Sequence, residues 1–426
     1  MRRVVLIACL VALALPGLAH AGEQTIVLRS SHPIAIKPYG VVQGTEIAPS
    51  PAVDGYVTGI SATLVDTKGV EEPISNIMLH HIVFAKIGVP DYTCKTFTDF
   101  DGNKLPAFAQ RFYGEGEERT TLAIPSGYGY PNRASDRWGM TYMLMNHRNV
   151  SDSVYIQYSV RYVTGEQLTP VKPVWLDVRN CDSDPIFNVP GNGPLFSTYS
   201  RHADFTMPES GVFVGGGAHL HGGGLKLALT SRSCGGRKLF TSEPTWGLPV
   251  VRPVMHENGP KHMTTFSTAN GIPVSAGESL RLTATYENSL PHTRVMGIMI
   301  LYFAPGSVDG LASASVPPTG ALQRPPYMPL PLLRQPRGAV ARNIHGTWVG
   351  DYAFGRQRVS IRRGTTFTWR FVGSVQHDVT LASGPVGFAS QSLQRGSYRH
   401  RFSRPGTYRL YCSLHPTRMT QIVTVR

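Results

Sequence analysis

The chain has 426 residues, 41% hydrophobic and 16% charged, with 44 Gly and 33 Pro. That balance suits two or three loop-rich β domains and excludes a helical bundle. The formal net charge of +14 is unevenly spread: residues 22–305 hold 23 Lys+Arg against 24 Asp+Glu, net −1, while residues 341–426 hold 13 Arg against Asp351 and Asp378, net +11. With no aromatic-basic binding motif, nucleic acid is excluded as a partner. The basic end is either a solvated surface or a docking surface for an acidic redox partner or an anionic envelope.

In chain order, residues 1–21 read as a signal peptide: two arginines, an apolar run, then Ala19-His20-Ala21 as a small-x-small cleavage site. They predict a secreted or periplasmic protein, and no later apolar run approaches the roughly 18 residues of a membrane span. Outside the cytoplasm, Cys94, Cys181 and Cys234 can supply one disulfide and one leftover thiol, with the pairing open.

Short alternating or β-branched runs split by Gly, Pro, Asn and Asp fill residues 22–305 and predict an all-β sandwich or barrel. The turn-rich CDSDPIFNVPGNG divides this part into domains at 22–185 and 186–305. In the first, NIMLHHIVF carries His80 and His81. Adjacent side chains on a straight strand point to opposite faces, so these two can serve one ion only if the strand ends or twists there. Further on, Met143, Met145 and His147 share one face of MTYMLMNH.

The second domain contains GVFVGGGAHLHGGG. His219 and His221, two apart on a strand, face the same way about 6 to 7 Å apart, a pincer for one metal ion. The glycines around them either let backbone and substrate approach the metal closely or mark a bulge. His256 and His262, in VMHENGPKHM, are candidates to line the cleft or add a ligand.

Residues 306–340, with seven prolines, read as a semi-rigid linker to a third β domain at 341–426. There YCSLHPTRM supplies Cys412, His415 and Met419, and SVQHDVTLA supplies His377. Two imidazoles, a thiolate and a weak axial thioether are the ligand set of a blue-copper electron-transfer site. His345 and His400 read as surface residues.

From Arg342 to Arg426 the chain resembles the cupredoxins of the plastocyanin and amicyanin type. The resemblance implies that His377, Cys412, His415 and Met419 bind one copper in a Greek-key sandwich. The ordered series His-His, lone His, His-x-His and late Met resembles the copper type II, ascorbate-dependent monooxygenases, the peptidylglycine and dopamine hydroxylases. That likeness implies two stacked β-sandwich domains, each holding one copper: His80, His81 and His147 in the first, and His219, His221 and Met296 in the second, where O₂ reacts. Met296 is preferred to Met299 because MGIMILYFAP places its Tyr-Phe and Pro as the hydroxylases do after their ligand Met. Gly217 and Ile300 stand where the peptidylglycine enzyme holds its substrate carboxylate, which argues against a C-terminal glycine peptide as substrate. The wording of MLHHIVF, RFYGEGEERT and WGMTYMLMNHRN is also similar to bacterial relatives of the plant stress-up-regulated nodulin family, over about residues 35–305.

The expectation is a secreted copper monooxygenase that hydroxylates a C–H bond of a small-molecule substrate with O₂. Two copper ions would sit in the core and one in a fused cupredoxin that passes electrons from a donor. The rival readings are a non-enzymatic multi-copper carrier and a structural β protein whose core histidines hold zinc or nothing.

Overall fold

Alternation decides the first sandwich. In Asp152–Val163 every second side chain is buried, and this strand lies between Glu23–Arg29 and Gly55–Asp66. Tyr128–Asn132 and Thr169–Pro170 extend the sheet beyond Gly55–Asp66. The facing sheet runs Val41–Ala48, Trp138–Asn146, Ile77–Ile87, Ala109–Gly116. The computed structural model describes residues 22–426 apart from 39, 99–103, 120, 149, 192, 234, 247–258, 313, 317–332, 392 and 417. Residues 1–21, expected to be a signal peptide, Cys234, His256 and the centre of the expected linker therefore lie outside the described residues. Among those described there is no α-helix, and none long and apolar enough to cross a membrane.

The second sandwich pairs Lys172–Asp177, Gly297–Pro305, Gly211–Leu220 and Phe266–Val274 in one sheet. Its other sheet is Thr198–Thr206, Ser279–Glu287, Gly224–Ser231 and Arg237–Ser242. Lys172–Asp177 precedes the expected boundary at 185/186, yet it pairs with Gly297–Pro305 along its whole length. Its sequence KPVWLD has too few polar positions for a one-sided strand, and both of its faces are buried. Val174 and Leu176 enter the core of the second sandwich, while Trp175 enters that of the first. The same division explains the unbroken apolar run GIMILYFA: Leu301 and Phe303 face their own sandwich, Ile300, Tyr302 and Ala304 the neighbouring one.

The two sandwiches are therefore joined along a seam. Trp175 lies against Gly114, where an added Cβ would stand 3.0 Å from the indole, and the Arg111 guanidinium covers its ring at 4.6 Å. Tyr302 donates its hydroxyl proton to the Phe112 carbonyl at 3.1 Å. A disulfide, Cys94–Cys181, fastens the first sandwich to the segment following Lys172–Asp177 and settles the open pairing between those two cysteines.

The third sandwich has sheets of five and four strands, with parallel pairs between Gly346–Gly350 and Thr366–His377 and between Arg358–Ile361 and Thr420–Val425. Parallel neighbours require crossing connections, in keeping with Greek-key order. This domain is seated on the others. Met78 and Met145 of the first sandwich belong to the same apolar cluster as Cys412, Leu414 and Met419. Gly387 lies against Val189 and Pro190, where a Cβ would come within 3.0 Å of the Val189 carbonyl. The linker is held at both described ends, by Val316 N–H on the Leu239 carbonyl at 2.8 Å and by Thr420 Oγ1 on the Arg334 carbonyl at 2.7 Å.

Because Trp175 is the largest side chain that crosses the seam, Trp175→Ala should destabilise the chain by about 3–5 kcal/mol. The measurement is urea unfolding of the oxidised protein; a loss below about 1 kcal/mol would show that the sandwiches do not depend on this contact.

Candidate metal centres

The strand Ile77–Ile87 answers how neighbouring histidines share a face. Opposite it, Met143 pairs with His81 and Leu144 with Leu79, so His80 is the extra residue of a β-bulge. The core-facing positions change parity across it: Ile77 and Leu79 point inward before the bulge, Ile82 and Phe84 after it. His80 and His81 therefore both project from the outer face, their ring centroids 5.2 Å apart.

The second sandwich presses its own histidines onto that face. His219 pairs with Ile298, next to the seam-facing Ile300. The rings of His221 and His219 are 4.8 Å apart, and those of His221 and His80 are 5.1 Å apart. The four rings form one row, His219, His221, His80, His81, drawn from both sandwiches. The two expected sets are thus neighbours across the seam rather than sites enclosed in separate domains.

The glycines before His219 mark a bulge, one of the two expectations, and also admit a backbone carbonyl from across the seam. The ladder is irregular between Phe213 and Gly215, and the Ala123 carbonyl of the first sandwich stands 3.0 Å from where a Gly215 Cβ would be. Across the seam, Gly116 pairs with His81, and a Cβ there would overlap the His219 ring.

Glu118, two residues on, was not singled out in the sequence. Its carboxylate accepts from His219 Nδ1 at 2.9 and 3.1 Å and from the Gly116 N–H at 3.0 Å. The pair is buried, Glu118 at 2% and His219 at 9% exposure. Burial by itself pulls the His219 pKa down, but the charge and hydrogen bond of Glu118, with Glu117, outweigh it and leave it raised. With Nδ1 committed to Glu118, the buried Nε2 has no hydrogen-bond partner among the described residues. A carboxylate on one ring nitrogen with the other left open is how proteins orient a metal-binding histidine. His81 stays neutral, its pKa lowered to about 4 by burial and by the charges of His219 and Arg294. The only advance signal for Glu118 was a pair of glutamates behind a glycine, 101 positions from the histidine it serves.

Met296 precedes Gly297, which pairs with Leu220, so it lies beside His221. The Tyr286 hydroxyl ties the two together, donating to the Met296 carbonyl at 2.5 Å and accepting from the His221 N–H at 3.0 Å. His147 is placed differently. Its N–H donates to the Asn76 carbonyl at 2.8 Å, so its backbone sits four positions from His80, roughly 13 Å along the strand. Met145 and Met78, paired between them, underlie the third sandwich. His262 is exposed on the short strand His262–Met263.

In the third sandwich, His377 ends a long strand and Cys412 and His415 sit on the loop after Gly406–Tyr411. His377 Nδ1 and His415 Nδ1 are 3.2 Å apart, and Cys412 Sγ is 3.9 and 3.5 Å from them. One ion about 2.0 Å from each nitrogen and about 2.3 Å from sulfur fits within these separations, and soft sulfur with imidazole suits copper. The Asp378 N–H points at Cys412 Sγ at 3.5 Å. Met419 is fully buried in the same cluster, and its carbonyl accepts from the Cys412 N–H at 3.1 Å. Burial lowers the His415 pKa to about 3, lowers His377, and raises the Cys412 thiol, which Asp378 raises further. His345 is exposed as expected. His400 is not a free surface side chain: it is half-buried and stacks on Phe388 at 3.8 Å.

Residues 194–305 match the family described as Stress up-regulated Nod 19. The chain is 25% identical over 275 residues to "Probable copper-dependent oxygenase M1" of Phoma sp. (strain ATCC 20986 / MF5453), spanning 60% of this chain and 66% of that protein, just under two thirds. It is 25% identical over 271 residues to "Probable copper-dependent oxygenase clz3" of Cochliobolus lunatus, spanning 58% of this chain and 79% of that one. Among solved structures, "Novel Purple Cupredoxin from Nitrosopumilus maritimus" is 29% identical over 20% of this chain and 100% of its own, with a TM-score of 0.18. An oxidised amicyanin mutant is 20% identical over 19% of this chain and 80% of its own, also with a TM-score of 0.18.

Removing the carboxylate in Glu118→Ala should weaken copper binding at the seam by about 10–100-fold, with Glu118→Gln recovering part of it. Competition with a chelator of known affinity measures this, and equal affinity in all three proteins would refute the positioning role. At the C-terminal centre burial lowers both histidine pKa values, His415 to about 3, so proton loss from the buried thiol is the main pH-dependent step of binding. Copper affinity there should rise about tenfold per pH unit between about pH 6 and 8; a flat profile would exclude Cys412 as a ligand.

Proposed function

We propose that this chain is a copper-dependent oxidoreductase of the monooxygenase type, with its reaction centre in the seam between the first two sandwiches. The observation that carries this is the row His219, His221, His80, His81, held by Glu118 from the opposite sandwich. The two relatives named as probable copper-dependent oxygenases support the reading. Bound copper supplies one-electron chemistry and the reaction with O₂, which these side chains lack on their own.

The chain's own part is to hold, exclude and orient. Glu118 fixes which nitrogen of His219 is open, burial keeps His81 neutral, and Tyr286 sets Met296 beside His221. Ile300 and Tyr302 keep the neighbouring seam apolar. Glu115, buried nearby, accepts from the Tyr113 hydroxyl and the Ala62 N–H, and burial pushes its pKa up to about 8. The protonated form is therefore favoured at neutral pH, which limits the negative charge beside Glu118.

In this reading the third sandwich is a cupredoxin that delivers electrons, its basic surface receives an acidic donor, and the protein works outside the cytoplasm on a small molecule with a hydroxylatable C–H bond. Seating on Met78 and Met145, two residues from His80 and His147, supports electron delivery over an unrelated fusion.

The test is to load the full chain with copper, reduce it under argon, and add O₂ with candidate small molecules. Oxygen uptake should match hydroxylated product. His80→Ala and His219→Ala, from different sandwiches, should each lower the rate by at least about a hundredfold while the blue C-terminal absorption persists. Uptake without product, or rates unchanged in both variants, would favour a non-enzymatic copper carrier.

A further inference from the structure

Arg294 has a φ of 59°, a conformation sparsely populated by residues with a side chain and kept only where the surroundings impose it. Its N–H donates to Asn188 Oδ1 at 2.9 Å, and its Nη1 donates to the Ser390 carbonyl of the third sandwich at 3.2 Å. Ser390 is buried, and its hydroxyl accepts from the Val379 N–H at 2.9 Å. Val379 follows Asp378, whose N–H points at Cys412 Sγ. On the other side, Arg294 is two residues before Met296, whose carbonyl is tied through the Tyr286 hydroxyl to the His221 N–H.

These contacts form one run of covalent and hydrogen bonds: Cys412, Asp378–Val379, Ser390, Arg294, Val295–Met296, Tyr286, His221. Its members are fixed by the fold around them: the Ser390 N–H donates in return to the Val379 carbonyl, and Tyr286 lies in the interior of the second sandwich. The guanidinium is the link that crosses between domains.

We propose that Arg294 is a positioning residue that couples the C-terminal centre to the seam centre, so that occupation of one is felt at the other. The charge of Arg294 also acts on His81, which places the same side chain within electrostatic reach of the first-sandwich histidines. The coupling rests on the proposed function, because it needs both centres to take up metal; the contact itself does not.

Arg294→Gly separates the side chain from the backbone, since glycine adopts a φ near 60° without strain. In the metal-free full chain, hydrogen exchange at residues 389–391 should quicken about tenfold in Arg294→Gly, the loss expected for a charged hydrogen bond, and Arg294→Lys should recover part of the protection. In the second arm, Cu(II) fills the C-terminal centre first and the seam centre afterwards. Seam loading should shift the C-terminal copper's midpoint potential in the unaltered protein and in Arg294→Lys, and the shift should vanish in Arg294→Gly while the blue band remains. Unchanged exchange in Arg294→Gly overturns the contact. A shift that persists in that variant, or that is absent from the unaltered protein with both centres filled, overturns the coupling. Failure of the seam to take copper at all would instead count against the proposed function, leaving the exchange result to decide the role of Arg294.

Discussion

The contact between Glu118 and His219 sets the terms for the rest of the molecule. A buried carboxylate and a buried imidazole from different sandwiches satisfy one another, and separating them would leave polar groups in an apolar seam at a cost of several kcal/mol. Everything nearby allows that approach. Gly116 makes room for the ring, Gly215 lets the Ala123 carbonyl come close, and Trp175 and Tyr302 lock the surrounding apolar surface. The geometry of the four histidines is therefore a property of the docked pair, and neither sandwich alone presents it.

The third sandwich completes this arrangement from another side. Its apolar end, with Cys412, Leu414 and Met419, covers Met78 and Met145, which makes the outer face of one sheet a common floor for the two candidate centres. The thirteen arginines of residues 341–426 are all exposed, so the net charge of +11 does not have to be accommodated at the buried contact. The proline-rich connection is anchored at both described ends.

Much of this was legible in the sequence, unevenly and for identifiable reasons. The all-β character followed from period-two runs, and the C-terminal cluster from ligand types at short spacing on one loop. His219 and His221 could be placed on one face because alternation fixes relative direction within a strand. For His80 and His81 the same rule predicted opposite faces; the bulge that cancels it depends on the partner strand Trp138–Asn146 and leaves no local signature. Alternation grouped His147 with Met143 and Met145, but register placed it opposite Asn76 and not beside His80. Glu118, Tyr286 and Arg294 act across 101, 65 and 96 positions of chain, and no spacing rule reaches so far. The domain boundary moved because Lys172–Asp177 is buried on both faces, which a one-dimensional pattern reads as ambiguous.

The extra residue at His80 has a genetic consequence. Deleting it would leave Leu79 opposite Leu144 and His81 opposite Met143 as consecutive pairs of a regular ladder, with Ile77, Leu79, Ile82 and Phe84 still facing the core. Met78 would keep its place under the third sandwich, and the loss would fall on the ring beside His221. A codon gained or lost at this point alters the histidine cluster while the phase on either side of it survives. The strand thus carries His80 as an insertion its two neighbouring cores do not need.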